Sequence, residues 1–493
     1  MLGSQARRGD TRRFVLGVIV LSLASAIVRA ISVRFNVYLA DHLGSDGLGL
    51  LTLTLAVYSP ATTLATSAVG FASTRLVSEA IGSGHPEKIR PSMVGCVLYS
   101  LSFGIPAAIL LFVLSEPISR YLPGDMRTMV ALRTLALSLP LVSLGSVLSG
   151  YFTAVGRVAR SSLAQVVGLI FRVFVTARLL CRSGMSLSSS LSAVGVGMVL
   201  SEAVTLALSV IVYLADRRGE RVVGEGGSVG RRRLVRIALP MAVSSYVRSG
   251  LGSIEHLLIP YGLKKKGYSE SEALRTYARV QSMALPVVMF GYSFLTPFCS
   301  MLLPEIARRQ VGAGGRSVRS AGDRAISFTA FFGIGTAGIL AAFGGEIGRV
   351  VCGSVEAGRY IKFLAPLVPI MYMDTCVDSL LKGVDEQRYT MLVNMLDSIL
   401  SVAVVFILTP RIGVWGFIAE IYICEILNAA LSVARLVKRV GVKIDGVFDV
   451  LLPIAAVISG TTVGGAVPLD LWGRVTVAVI VYAAIVLGGR KLR

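Results

Sequence analysis

Residues 15–40 read VLGVIVLSLASAIVRAISVRFNVYLA, an apolar run interrupted by two arginines, Arg29 and Arg34. A helix needs about 20 apolar residues to cross a bilayer, and this run supplies them. An arginine inside such a span costs roughly 2.5–3.5 kcal/mol on insertion scales. A chain keeps one where it faces protein, water or an anionic ligand. The stretch therefore reads as a membrane helix and, at the same time, as a candidate functional site.

The rest of the chain extends the pattern. It has 493 residues, 54% hydrophobic and 16% charged, with mean hydropathy +0.74. A soluble chain of this length would form several domains and carry more charge. About fourteen runs are of spanning length: 14–39, 48–72, 91–114, 129–149, 161–180, 190–214, 234–263, 277–303, 325–343, 360–380, 389–408, 414–436, 447–467 and 471–488. None alternates over about ten residues as the strands of a membrane barrel do. The predicted class is an all-α integral membrane protein of about 14 transmembrane helices.

The formal net charge of +21 fits membrane topology better than a nucleic-acid surface. With the N-terminus in the cytoplasm, roughly 30 Lys and Arg fall in cytoplasmic loops and ends, about 14 on the far side and about five within spans. The clearest cytoplasmic clusters are Arg7, Arg8, Arg12 and Arg13, then Arg217–Arg236 and Arg308–Arg324. Lys264, Lys265 and Lys266 depart locally from this bias. The expected location is the plasma membrane, with both termini cytoplasmic and no nucleic-acid partner. Six scattered cysteines without a CxxC pair indicate neither zinc nor a disulfide framework. The first apolar run superficially fits a signal peptide, but nothing after it looks secreted, so a retained helix is expected.

The longest polar break, Asp216–Arg233, separates six spans from eight. Ser25-Ala-Ile-Val-Arg29 and Ser244-Ser-Tyr-Val-Arg248 share Ser-x-x-Val-Arg. An offset of roughly 229 lays Ser161-Ser-Leu-Ala-Gln165 over Thr390-Met-Leu-Val-Asn394, each after a tight polar turn. These echoes suggest two six-helix lobes, 1–215 and 234–440, joined by a basic cytoplasmic linker, 216–233, with two extra transmembrane helices in 441–493. Transporters built from repeats place the substrate site between the repeats, near mid-membrane.

Arg29-Ala-Ile-Ser-Val-Arg34, then Leu43-Gly44 and Gly47-Leu-Gly49, resembles helix 1 of the multidrug/oligosaccharidyl-lipid/polysaccharide (MOP) flippase superfamily. The nearest branches are the polysaccharide-biosynthesis, stage V sporulation protein B-like and lipid II flippase groups. Arg75-Leu-Val-Ser-Glu79, Gly150-Tyr-Phe152, Ile254-Glu-His-Leu-Leu-Ile-Pro260 and Leu303-Pro-Glu-Ile306 add to the resemblance, which covers nearly the whole chain. It implies two six-helix lobes around a central cavity and transport of lipid-linked sugars or, in the multidrug branch, cationic drugs.

Arginine suits a diphosphate headgroup because its planar fork donates paired hydrogen bonds and stays charged. The in-span arginines are Arg29, Arg34, Arg133, Arg172 and Arg248. Arg133, near a helix end, reads as a snorkelling residue. Arg29 and Arg34 lie roughly 140° apart on a straight helix. The resemblance assigns Arg34 the headgroup contact. Phe35 stands where the lipid II branch commonly carries an acidic residue. Arg75 matches a basic position of the family and reads equally as a positive-inside anchor. Arg172 either lines the first lobe or pairs with Glu202. By resemblance, Glu255 takes the place of an aspartate of a sodium site, with Asn394 and Asp397 on one helical face as further ligands. The simpler reading is neutralisation with Arg248. Asp374 and Asp378, one turn apart, form a second candidate pair for cation coupling. Glu420 and Glu425 offer no shared site, and His256 reads as structural.

The expected activity is a flippase for a polyprenyl-phosphate or diphosphate oligosaccharide, working by alternating access, with Na⁺ or H⁺ coupling and no other cofactor. Its partners would be the lipid-linked oligosaccharide, membrane lipids and glycosyltransferases or polymerases of the same pathway, with the protein itself a monomer. The alternative is a multidrug/cation antiporter, whose cavity should be acidic or aromatic. An enzyme would need a catalytic constellation on a sizeable loop, and no HExxH or Walker motif occurs. A non-transporting scaffold remains a third class.

Overall fold

Inside a bilayer no water satisfies backbone N–H and C=O groups, so apolar runs close their hydrogen bonds internally as helices. The computed structural model describes residues 2–82, 85–121, 125–181, 186–217, 231–299, 302, 306, 315–442 and 445–490, and among them there is no strand. Residues 218–230 of the basic linker, the Leu303-Pro-Glu305 motif and the side chains of the N-terminal arginine cluster lie outside what is described.

In chain order the helices are α1 (Leu2–Thr66), α2 (Val69–Gly82), α3 (Ile89–Tyr121), α4 (Thr128–Ala136), α5 (Leu139–Ala154), α6 (Val158–Leu180), α7 (Leu187–Arg217) and α8 (Arg231–Lys266). Then come α9 (Glu270–Cys299, through π and 3₁₀ turns), α10 (Gly315–Cys352), α11 (Val355–Leu364) and α12 (Val368–Gly383). The last four are α13 (Gln387–Ile412), α14 (Val414–Val440), α15 (Leu452–Ala466) and α16 (Leu471–Arg490). Among the described residues, 11 helices are long and apolar enough to cross a membrane, or up to 12 if α4 and α5, bent by 44°, make one broken span. The run Ser25–Ile81 is 57 residues long and holds two of the expected spans. The 36-residue α8 corresponds to the expected span 234–263. About fourteen crossings are thus accommodated.

The break expected between the first two spans is a kink rather than a loop. Gly44 (φ 73°, ψ 165°) interrupts α1. A left-handed φ of that kind is cheap only without a Cβ.

The chain forms two compact units. One comprises Leu39–Tyr261; the other, here the split unit, combines Met1–Tyr38 with Gly262–Arg493. The divisions thus fall inside α1 and α8 rather than in the 216–233 linker. In the 39–261 unit, α2, α3 and α5 bury Val69, Leu76, Met93, Val147 and Phe152. Gly150 faces the Gly70 carbonyl so closely that the two helices touch backbone to backbone. In the split unit, α16 packs on α10 through Tyr482, stacked on Phe331 at 4.9 Å and donating to the Phe331 carbonyl at 2.6 Å. Arg474 pairs there with Glu346.

The internal repeat is clearest in two turns. Between α5 and α6, Gly156 has φ 70°, and Arg157 N–H donates to the Phe152 carbonyl at 2.8 Å. Between α12 and α13, Asp385 has φ 64°, and Glu386 N–H donates to the Leu381 carbonyl at 2.9 Å. The offset that aligns Ser161 with Thr390 aligns every one of these positions.

Candidate functional site

In the 39–261 unit a cavity of about 610 Å³ opens between α1 and α8. That is within the usual range for small-molecule sites, about 300–1,000 Å³. Its α8 wall is Ser245, Arg248, Ser249, Gly252, Ser253 and His256, spaced by three and four as one helical face requires. Its α1 wall uses the same spacing: Thr52, Leu55, Ala56, Ser59 and Thr63. Small side chains leave the volume open, and their hydroxyls are held by the helices themselves. Thr52 donates to the Leu48 carbonyl at 2.8 Å and Thr63 to the Ser249 hydroxyl at 3.0 Å. Ser253 donates to the carbonyls of Ala56 and Ser249. Arg248, exposed, brings the one permanent charge among these lining residues, which include no carboxylate.

The other candidates in this unit lie elsewhere. Arg172 on α6 is in electrostatic range of Glu202 on α7 and of Tyr58, whose hydroxyl is 2.6 Å from that of Ser138. Arg75, exposed, pairs with the half-buried Glu79 one turn on at 3.0 Å. Glu255 shares α8 with the cavity but is not among the residues that line it. Arg133 donates to Ser115 at 2.9 Å and lies over the Phe112 ring, a local, structural arrangement.

The split unit gathers a different chemistry. Arg29 is half-buried, donates to the Met289 carbonyl at 3.4 Å and lies in the electrostatic range of Tyr292 and Tyr372. Those rings meet edge to face at 4.9 Å. Arg34 is exposed while Phe35 is buried, so the two arginines do face different surroundings. Behind the tyrosines, α12, α13 and α14 bring carboxylates together. Asp374 accepts from Asn428 at 3.3 Å, and Asp378 accepts from Asn394 at 3.5 Å and from Lys382 at 3.3 Å. Asp374 feels Asp378 and Asp397; Glu425 feels Asp374 and Asp397.

The two candidate sets Asp374/Asp378 and Asn394/Asp397 therefore form one cluster, whereas Glu255 falls in the other unit. Among the described residues no group of three or more His, Cys, Asp and Glu is arranged to hold a metal ion. Asp374 is half-buried within this cluster, beside the Ser432 hydroxyl, and its Oδ1 is one of several buried carboxylate oxygens among the described residues that make no close hydrogen bond. Sequence reasoning set Glu425 aside and missed Asn428, one turn on along α14, because their neighbours come from α12 and α13. It also missed the cavity role of His256; its spacing from Ser245, Ser249 and Ser253 was the available signal.

The MatE family model matches residues 16–177. Stage V sporulation protein B of Bacillus subtilis is 21% identical over 443 residues, covering 87% of this chain and 85% of that protein. Sporulation protein YkvU of the same organism is 20% identical, covering 88% and 97%. Among solved structures, an inward-facing multidrug resistance MATE family transporter of the MOP superfamily superposes with TM-score 0.68 at 15% identity, over 84% of this chain and 98% of that one. The chain resembles the MOP flippase superfamily.

A second MOP structure, from Pyrococcus furiosus, described as having a binding pocket of reverse polarity, also gives TM-score 0.68, at 14% identity over 86% of this chain and 95% of that one. At such identities the structures establish the MOP fold and leave cargo open. The resemblance is to transporters and not to enzymes. The chain is a multi-pass membrane protein.

Proposed function

We propose that this MOP-type transporter flips a polyprenyl-phosphate or diphosphate oligosaccharide from the cytoplasmic to the outer leaflet by alternating access, supplying cell-surface glycan synthesis. The observation that carries the reading is the α1–α8 cavity, with its hydroxyl walls, Arg248 and no carboxylate among the lining residues. Sugar hydroxyls exchange hydrogen bonds readily with serine and threonine, and a phosphate is matched by a guanidinium fork. A cationic drug would meet repulsion there. Arg34, exposed on the first span, and Arg29, both in the split unit, are separate proposed substrate-binding residues, with Arg75 and Arg172 secondary. Asp374, Asp378, Asn394 and Asp397 are the proposed coupling groups for Na⁺ or H⁺, and Glu255 is a separate candidate on α8. The protein would act as a monomer in the plasma membrane, termini in the cytoplasm, beside the glycosyltransferases or polymerases of its pathway.

One observation favours the antiporter alternative. In the split unit Tyr292, Tyr372 and Phe332 pack near Asp374, aromatic and acidic as a cationic cargo prefers. Reconstitution separates the two. Vesicles carrying the protein and a fluorescent polyprenyl-diphosphate sugar should expose the label to outer-leaflet quenching, and a lipophilic cation should not compete. Absence of protein-dependent exposure across a panel of lipid-linked sugars, with uptake of the cation instead, would replace the flippase by the antiporter.

A further inference from the structure

Six charged residues outside the cavity and outside the acidic cluster repeat one arrangement with its signs exchanged. In the 39–261 unit, Asp216, next to last in α7, receives Arg157 at 2.5 Å and also Arg160, from the turn that opens α6. In the split unit, Glu386, in the turn that opens α13, receives Arg435 at 2.7 Å and also Arg439, next to last in α14. Each carboxylate is almost fully covered, at 3% and 7% side-chain exposure, whereas the arginines remain partly solvated.

The correspondence is positional as well as chemical. Arg157 caps α6 and Glu386 caps α13. The next turn position, Arg160, aligns with Tyr389, whose ring supports the Arg435 guanidinium at 4.8 Å. Tyr389 N–H donates to the Glu386 carbonyl at 3.0 Å as Arg160 N–H donates to that of Arg157 at 3.1 Å. The same backbone turn therefore presents cations in one unit and an anion in the other, each time to the end of the following helix.

Each hairpin, α6–α7 and α13–α14, is tied covalently at one end by its connecting segment. Its other end has no covalent closure. We infer that Asp216 with Arg157 and Arg160, and Glu386 with Arg435 and Arg439, are two copies of one clamp with exchanged polarity, each closing the open end of its hairpin so that the two helices move as one body. Two arginines per carboxylate make the device redundant. Loss of one leaves the buried anion paired, and loss of the carboxylate leaves two cations facing each other. Hydrogen bonds from Arg435 and then Arg439 hold the Glu386 carboxyl below the ordinary glutamate range, so it is charged at neutral pH.

Hydrogen–deuterium exchange on the full chain in lipid nanodiscs tests the clamp without reference to any cargo. Glu386→Arg should speed exchange in residues 384–390 and 434–440 by at least about tenfold. The triple variant Glu386→Arg, Arg435→Glu, Arg439→Glu, which gives this turn the other unit's polarity, should return it to within about twofold of wild type. Residues 155–160 and 211–216 should be unaffected in both. If Glu386→Arg does not fold, Glu386→Gln carries the same expectation of faster exchange. Unchanged exchange in the single variant, or a triple variant no slower than the single, overturns the inference.

Discussion

Arg248 and Arg34 differ in what their loss should do. Arg248 faces a defined cavity whose other polar groups are neutral hydroxyls and one imidazole. A charge-assisted hydrogen bond to a phosphate contributes about 1.5–3 kcal/mol. Arg248→Ala should weaken binding of a polyprenyl-diphosphate sugar by roughly ten- to a hundredfold, and Arg248→Lys, which keeps the charge but not the fork, by less. Exposure of Arg248 makes folding insensitive to either change. Equilibrium binding by fluorescence polarisation measures the order wild type, Lys, Ala; equal affinity of all three would remove Arg248 from the site. Arg34 was legible as an anomaly from hydropathy alone, because a charge in an apolar run stands out. Arg248 was legible as one of five in-span arginines and as a weak echo of Arg29. What the sequence could not reveal is the empty space in front of the face that carries Arg248, Ser249, Ser253 and His256.

Helix-forming runs were readable because lipid leaves a chain no other way to satisfy its backbone. The joints between them were harder to read, since one residue's φ decides whether a break is a loop or a kink, as at Gly44 in α1. Close packing is equally hidden. Gly145 and Gly150 both lie in α5, yet a Cβ at Gly145 meets nothing within 4 Å, whereas one at Gly150 strikes the Gly70 carbonyl. Alanine is ordinarily better than glycine inside a helix by about 1 kcal/mol. Gly145→Ala should therefore hold or raise thermal stability in detergent. Gly150→Ala must push α2 and α5 apart and should lower stability by about 1–3 kcal/mol. Thermal unfolding followed by cysteine-reactive dye, which reads the buried Cys96 on α3, compares the two. A Gly150→Ala protein as stable as Gly145→Ala would mean the helices yield freely at this crossing.

The division of the chain assigns the two chemistries to different units, hydroxyls with Arg248 to 39–261 and the carboxylate cluster to the split unit. Sequence alone suggested anion binding in the first half and acidic coupling in the second; it could not place the first helix or the eighth, because membership of a unit depends on packing, which hydropathy does not encode. If the acidic cluster couples a cation to cargo movement, the effect must obey linkage: the factor by which the cation changes cargo affinity equals the factor by which cargo changes cation affinity. Cargo binding should therefore respond to Na⁺ against K⁺, or to pH, by roughly five- to a hundredfold. Asp374→Asn, which neutralises the carboxylate that interacts with Asp378, Asp397 and Glu425, should abolish that response while the Arg248→Ala penalty persists. Titrating the labelled lipid-linked sugar in each salt, for wild type and Asp374→Asn, decides the matter. A Na⁺ or pH response that survives Asp374→Asn moves coupling elsewhere, with Glu255 on α8 the next residue to replace. No response in wild type leaves the membrane potential and consumption of the flipped product as the driving forces, and the carboxylates as packing groups paired with Asn394 and Asn428.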